Sequence, residues 1–153
     1  MTLSIPARPL EILLVEDSET DALITEEALG RAKLVYNLSH VENGVEAIDF
    51  VRRRASFADA PAPDLILLDL NLPKKDGREV LAEIKADPRL RLIPVVVLTT
   101  SRAEEDVMKA YGKHANCYIS KPVDFVRFTE VVRAIEHFWF AVVTLPTGAR
   151  TAP

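Results

Sequence analysis

Cysteine is almost absent from this chain: Cys117 is the only one, so no intrachain disulfide framework can form, and the count argues against a cysteine-based zinc site. Histidine is nearly as scarce. His40, His114 and His137 are scattered without metal-ligand spacing and read as surface or packing residues. An excess of positive charge is also missing. Nineteen Lys and Arg face 23 Asp and Glu, for a formal net charge of -4. The chain therefore lacks the long-range attraction that a nucleic-acid binder or an anionic-membrane binder uses, and a cation or a basic partner suits it better. No long apolar run occurs either: Asp69 interrupts the stretch from Leu65 to Leu72, far short of the roughly 20 apolar residues of a membrane span. The start, MTLSIPARPL, has two prolines and Arg8 where a secretory leader would carry an apolar core, so the cytoplasm is the expected location.

With 153 residues, 48% of them hydrophobic, the chain can bury a proper core, and one compact domain is expected. Three short apolar runs dominate its pattern: Ile12 to Val15, Leu65 to Leu68, and Val95 to Leu98 just after Pro94. Each is unbroken rather than alternating, as in strands buried on both faces of a parallel sheet. Leu34 to Val41 and Cys117 to Ile119 are weaker candidates. Between the runs lie helix signals. Ser18 can cap a helix to about Ala32, and Asn43 with Glu46 suggests a capping box for a second helix ending near Arg54. Gly77 precedes a third helix, from about Arg78 to Ala86, closed by Asp87-Pro88. A fourth runs from about Ala103 to His114. In the last, Phe125, Phe128, Val131, Val132, Ile135, Phe138, Trp139 and Val142 recur at helical spacing. Strand then helix, repeated five times with right-handed crossovers, gives an α/β doubly wound parallel sheet, (βα)5. Residues 1-10 read as an N-terminal extension, 11-141 as the domain and 142-153 as a tail.

In such sheets ligands gather beyond the carboxyl ends of the strands. The first strand ends in Glu16-Asp17, the third in Asp69, the fourth in Thr99-Thr100, and the fifth is followed by Lys121-Pro122. Three carboxylates brought together repel one another unless a cation joins them. A hard divalent ion answers this, and Mg2+ fits because it accepts a few carboxylate and carbonyl oxygens while keeping several waters. A carboxylate beside such an ion can act as a nucleophile toward phosphorus, with Lys121 and the Thr99 hydroxyl available to phosphoryl oxygens. Any one acidic strand end is as well explained as a helix cap or a solvated charge. Only the strand ends taken together point to phosphoryl chemistry.

That set resembles the response-regulator receiver family. Glu16-Asp17 is similar to its acidic pair, Asp69-Leu70-Asn71-Leu72-Pro73 with Asp76-Gly77 to its phosphorylation loop, Thr99 to its switch hydroxyl, and Lys121-Pro122 to its lysine and following cis-proline. The resemblance spans about Glu11 to Trp139. It implies a flavodoxin-like five-stranded sheet of order 2-1-3-4-5, and a phosphoryl group taken by Asp69 from a sensor histidine kinase. Asp17, Asp69 and the Asn71 backbone carbonyl would bind Mg2+, with Glu16 reaching it through water. Phosphorylation would draw in Thr99 and reorient Tyr118, changing a protein-interaction surface; the chain would assist its own phosphorylation and dephosphorylation without being an enzyme in the usual sense.

Two positions depart from the family's commonest pattern. Glu16 is one methylene longer than the Asp often found there, and Thr100 is bulkier than the usual small residue, which leads us to expect slow loss of phosphate. The end of the chain, Phe138-Trp139-Phe140 followed by Val142-Val143-Thr144-Leu145-Pro146, resembles that of the small regulators that partner phytochrome-type histidine kinases. A bacteriophytochrome is thus one expected partner. Trp139 and Phe140 cannot readily face one core together, so a homodimer through the last helix and tail is expected. Three rival readings remain. A haloacid-dehalogenase-type phosphatase would place an acid/base aspartate two residues after the nucleophile, where this chain has Asn71. A flavin carrier of the same fold would need a Ser/Thr/Gly-rich loop in place of Glu16-Asp17-Ser18-Glu19. A docking scaffold without phosphorylation would not require the full set of site residues.

Overall fold

A computed structural model of the chain describes residues 9–31, 35–99, 117–121, 126–127, 129–131 and 133–134. Five parallel strands form one sheet: β1 (Leu10–Val15), β2 (Tyr36–Val41), β3 (Leu65–Asp69), β4 (Val95–Thr99) and β5 (Cys117–Ser120), in the spatial order β2-β1-β3-β4-β5. The expected order is thus found. Among the described residues, three helices intervene, α1 (Glu19–Arg31), α2 (Gly44–Arg52) and α3 (Gly77–Ala86), and a short 3-10 turn at Ala55–Phe57 that the sequence pattern did not suggest follows α2. The expected fourth helix and the aromatic part of the last helix lie outside the described residues.

The unbroken apolar runs are explained by what covers each face. Leu13, Val15, Ile66, Leu68, Val95 and Val97 point to one side, where they pack with Ala47, Ile48 and Val51 of α2 and Val80, Leu81 and Ile84 of α3. Their neighbours Leu10, Ile12, Leu14, Leu65, Leu67, Val96 and Leu98 point to the other side, against Ala22, Ala28 and Leu29 of α1. Val131, the one described member of the last helix's expected stripe, packs on this second side. Successive strand residues alternate between faces, so a strand covered on both must be apolar throughout. Each buried Leu, Ile or Val contributes about 1.5–3 kcal/mol relative to exposure. β2 is the exception, with only Val41 buried along its length, and its polar sequence YNLSHV follows from its place at the sheet edge.

The helix starts show where local signals held and where they shifted. Ser18 caps α1 as expected, its Oγ accepting from the Asp21 N–H. Asn43 caps α2, its Oδ1 accepting from the Glu46 N–H at 2.8 Å, but the Glu46 carboxylate accepts from the Glu42 N–H, so the expected reciprocal box is only half formed. The complete capping box belongs to α3. There Asp76 is the cap, its carboxylate accepting from the Arg78 N–H while Glu79 accepts from the Asp76 N–H, and Gly77 is the first helical residue rather than the one before it.

Candidate functional site

The strand registers align the ends that carry chemistry. Val15 sits opposite both Val41 and Leu68, Asp69 opposite Leu98, and Thr99 opposite Ser120. The residues that follow, Glu16-Asp17 after β1 and Lys121 after β5, therefore emerge at the same edge as Asp69. Carboxylate oxygens of Glu16, Asp17 and Asp69 all lie within 4.8 Å of one another. Glu16 and Asp69 are buried, whereas Asp17 is exposed. Such a cluster offers only hard oxygen donors and opens to solvent on one side, which suits a hydrated divalent cation.

Lys121 is the counter-charge. Its Nζ lies 3.2 Å from Glu16 Oε1 and 3.2 Å from Asp69 Oδ2, and its shortest ion pair, 2.7 Å, is with Asp21 Oδ2. Burial by itself lowers the Lys121 pKa, but Asp21, Asp69 and Glu16 outweigh that effect and raise it, so Lys121 is firmly cationic. Glu16 moves the opposite way from an ordinary carboxylate: burial first, then hydrogen bonding to Asp69 and its charge, push it up to about 7 against the opposing pull of Lys121. Three carboxylates, Glu16, Asp21 and Asp69, thus share one ammonium, and the buried charge at Glu16 is partly relieved by a proton.

The loop after β3 is held by close backbone contacts. The Asn71 N–H donates to Asp69 Oδ1 at 3.1 Å, fixing the carboxylate's direction, while Asn71 itself is exposed. The Gly77 N–H donates to the Leu70 carbonyl at 2.9 Å, and a Cβ at Gly77 would collide with the Asp69 carbonyl and Leu70 Cα. Across the loop, a Cβ at Gly44 would strike the Lys75 carbonyl. Lys74 takes a left-handed backbone, with φ of 70°, to complete the turn, and Lys75 Nζ ties the loop to Glu83 of α3 at 2.8 Å.

Of the residues singled out from sequence, Glu16, Asp17, Asp69, Asn71 and Lys121 come together. Tyr118 is buried in β5 with the α2–α3 core, and its carbonyl accepts from Arg127 at 3.2 Å. The Thr99 hydroxyl, Thr100, Pro122, Trp139 and Phe140 lie outside the described residues. Three participants were missed. Asp21 lies beyond the start of α1 from Asp17, so their spacing in the chain did not mark it; Gly44 follows the Asn43 cap; and His40, whose Nε2 lies 2.7 Å from the Glu16 carbonyl, carried no sequence signal.

Residues 12–133 match the response regulator receiver domain. The chain belongs to that family. It is 49% identical over 140 residues to response regulator Rcp1 of Synechocystis sp., covering 92% of this chain and 95% of the relative. Among solved structures it is similar to the phosphorylated cyanobacterial phytochrome response regulator RcpA, at 48% identity and a TM-score of 0.73, covering 92% of this chain and all of the other. It is likewise similar to the Mn2+-bound form of Rcp1, at 48% identity and a TM-score of 0.72, covering 91% of this chain and all of the other. This receiver is a signalling protein with the five-stranded architecture of those structures.

Proposed function

We propose that Asp69 is the phosphoacceptor of this receiver and that Glu16, Asp17, Asp69 and the Asn71 backbone carbonyl hold Mg2+ beside it, Glu16 through water. The observation that carries the reading is the convergence of three carboxylates on one sheet edge with Lys121 within 3.2 Å of Asp69. When bound, the ion neutralises charge on the transferring phosphoryl group. An Asp69 oxygen attacks the phosphorus as the bond to the donor's histidine nitrogen breaks, and the Asn71 N–H holds Asp69 Oδ1 in place. Lys121, held cationic by its carboxylates, binds a phosphoryl oxygen, and Thr99 donates to another.

The donor is a sensor histidine kinase, and the likeness to RcpA and Rcp1 favours a phytochrome-type one. Output is by protein contact, through Thr99 and Tyr118 and through a homodimer built on Trp139 and Phe140. No described helix is long and apolar enough to cross a membrane. Incubation with Mg2+ and acetyl phosphate should add one phosphoryl group by intact mass. Absence of the adduct, or an equal adduct in Asp69→Asn, defeats the reading. Light scattering at micromolar concentration should give a dimer mass, and a monomer with and without phosphate would remove the dimer. The adduct should outlast that of Thr100→Ala.

A further inference from the structure

Lys121 has two kinds of partner. Glu16 and Asp69 lie beneath it, with side chains 0% and 3% exposed, and are the same carboxylates that a metal ion needs. Asp21 lies outside that cluster on the first turn of α1, its side chain 30% exposed, yet it makes the shortest contact, 2.7 Å against 3.2 Å for the other two. Asp21 is itself fixed. Its N–H donates to Ser18 Oγ, and its carbonyl accepts from the buried Thr25 hydroxyl at 3.0 Å, so the carboxylate projects from an anchored turn.

An ammonium resting on Glu16 and Asp69 competes with any cation for their oxygens. A third carboxylate placed to one side gives it somewhere else to stay. We propose that Asp21 is a positioning residue for Lys121, holding the ammonium at the rim of the cluster so that Asp69 can ligate a divalent cation, and Glu16 hold it through water, while Lys121 remains beside Asp69 for the phosphoryl group. The inference rests on the metal reading given above and adds to it a residue of α1. Among the described residues Asp21 makes no hydrogen bond or ion pair with Glu16, Asp17, Asp69 or Asn71, and its charged partner is Lys121.

The test is a double-mutant cycle read by calorimetric titration of the full chain with Mg2+, without any phosphodonor. Asp21→Asn keeps the size of the side chain and removes its charge. In the otherwise wild-type chain it should weaken Mg2+ binding by about tenfold, because Lys121 then rests wholly on Glu16 and Asp69. In a Lys121→Met background there is no ammonium to displace, and the same substitution should weaken binding by only about twofold through its screened charge. Asp21→Glu, which restores the ion pair, should recover affinity to within about threefold of wild type. Equal fold-changes in the two backgrounds overturn the inference, since Asp21 would then act by charge alone, and so does an unchanged affinity in Asp21→Asn. Absence of saturable Mg2+ binding by the wild-type chain is a separate outcome that overturns both the inference and the metal reading beneath it.

Discussion

Glu16 gives the chain a pH-dependent stability whose sign differs from that of an ordinary carboxylate. In the unfolded chain it titrates near 4.5, and in the fold, where burial and the neighbouring Asp69 disfavour its charge, near 7. Between those values the native state holds a proton that the unfolded state has released. Raising the pH therefore favours unfolding, and stability falls from about pH 4.5 to about pH 7 and stays lower above that. A gap of about 2.5 units at about 1.4 kcal/mol per unit sets a ceiling near 3.5 kcal/mol, and water entering the open side of the cluster reduces it, so a loss of about 1–3 kcal/mol is expected. Glu16→Gln has no proton to lose. Urea unfolding in the presence of EDTA at pH 5 and pH 8 isolates the effect, because other titrating groups contribute to both proteins and cancel on subtraction. The wild-type chain should lose about 1–3 kcal/mol more than Glu16→Gln across that interval. Mg2+ at about a hundred times its dissociation constant should add about 2.7 kcal/mol to the wild-type chain at pH 8 and less at pH 5, where a proton must first leave. Parallel pH profiles for the two proteins would refute the reasoning.

Three further substitutions probe the loop that carries Asp69. Gly77→Ala and Gly44→Ala each push a methyl group into backbone, the first against the Asp69 carbonyl and the second against the Lys75 carbonyl. Each should destabilise by about 2 kcal/mol or more in urea unfolding, since backbone yields less readily than a side-chain tip. Gly77→Ala should also slow acetyl phosphate labelling more than Gly44→Ala, because its clash is with Asp69, the proposed phosphoacceptor. Lys74→Gly works the other way: relieving a non-glycine residue at φ 70° should stabilise by about 1 kcal/mol in the same assay.

The sheet was legible because burial on both faces leaves no room for polar residues, so the runs at 12–15, 65–68 and 95–98 announced β1, β3 and β4. β2 was harder, with its expected start at Leu34 giving way to Tyr36, because an edge strand obeys no such restriction. Asp76 was overlooked as a cap since Gly77 seemed to mark the helix start, although Asp76 and Glu79 form the reciprocal box that local sequence allows. Asp21 could not be placed by periodicity. It lies across a non-helical turn from Asp17, and only the assembled sheet brings β5, and with it Lys121, to that side of α1.

The acidic pair illustrates most clearly what a linear reading leaves out. Glu16 and Asp17 are chemically alike and adjacent, and as a motif they are read together. Successive residues leaving a strand point in opposite directions, and here one goes under the sheet edge while the next faces water. Glu16 is thereby the residue that keeps a proton near neutral pH and leans on Lys121, whereas Asp17 remains hydrated. The two therefore differ in what a bound cation would change: beside Glu16 a proton would have to leave, and at Asp17 only water. The pH dependence of metal binding should accordingly disappear in Glu16→Gln and persist in Asp17→Asn, a contrast that two calorimetric titrations at pH 6 and pH 8 can read.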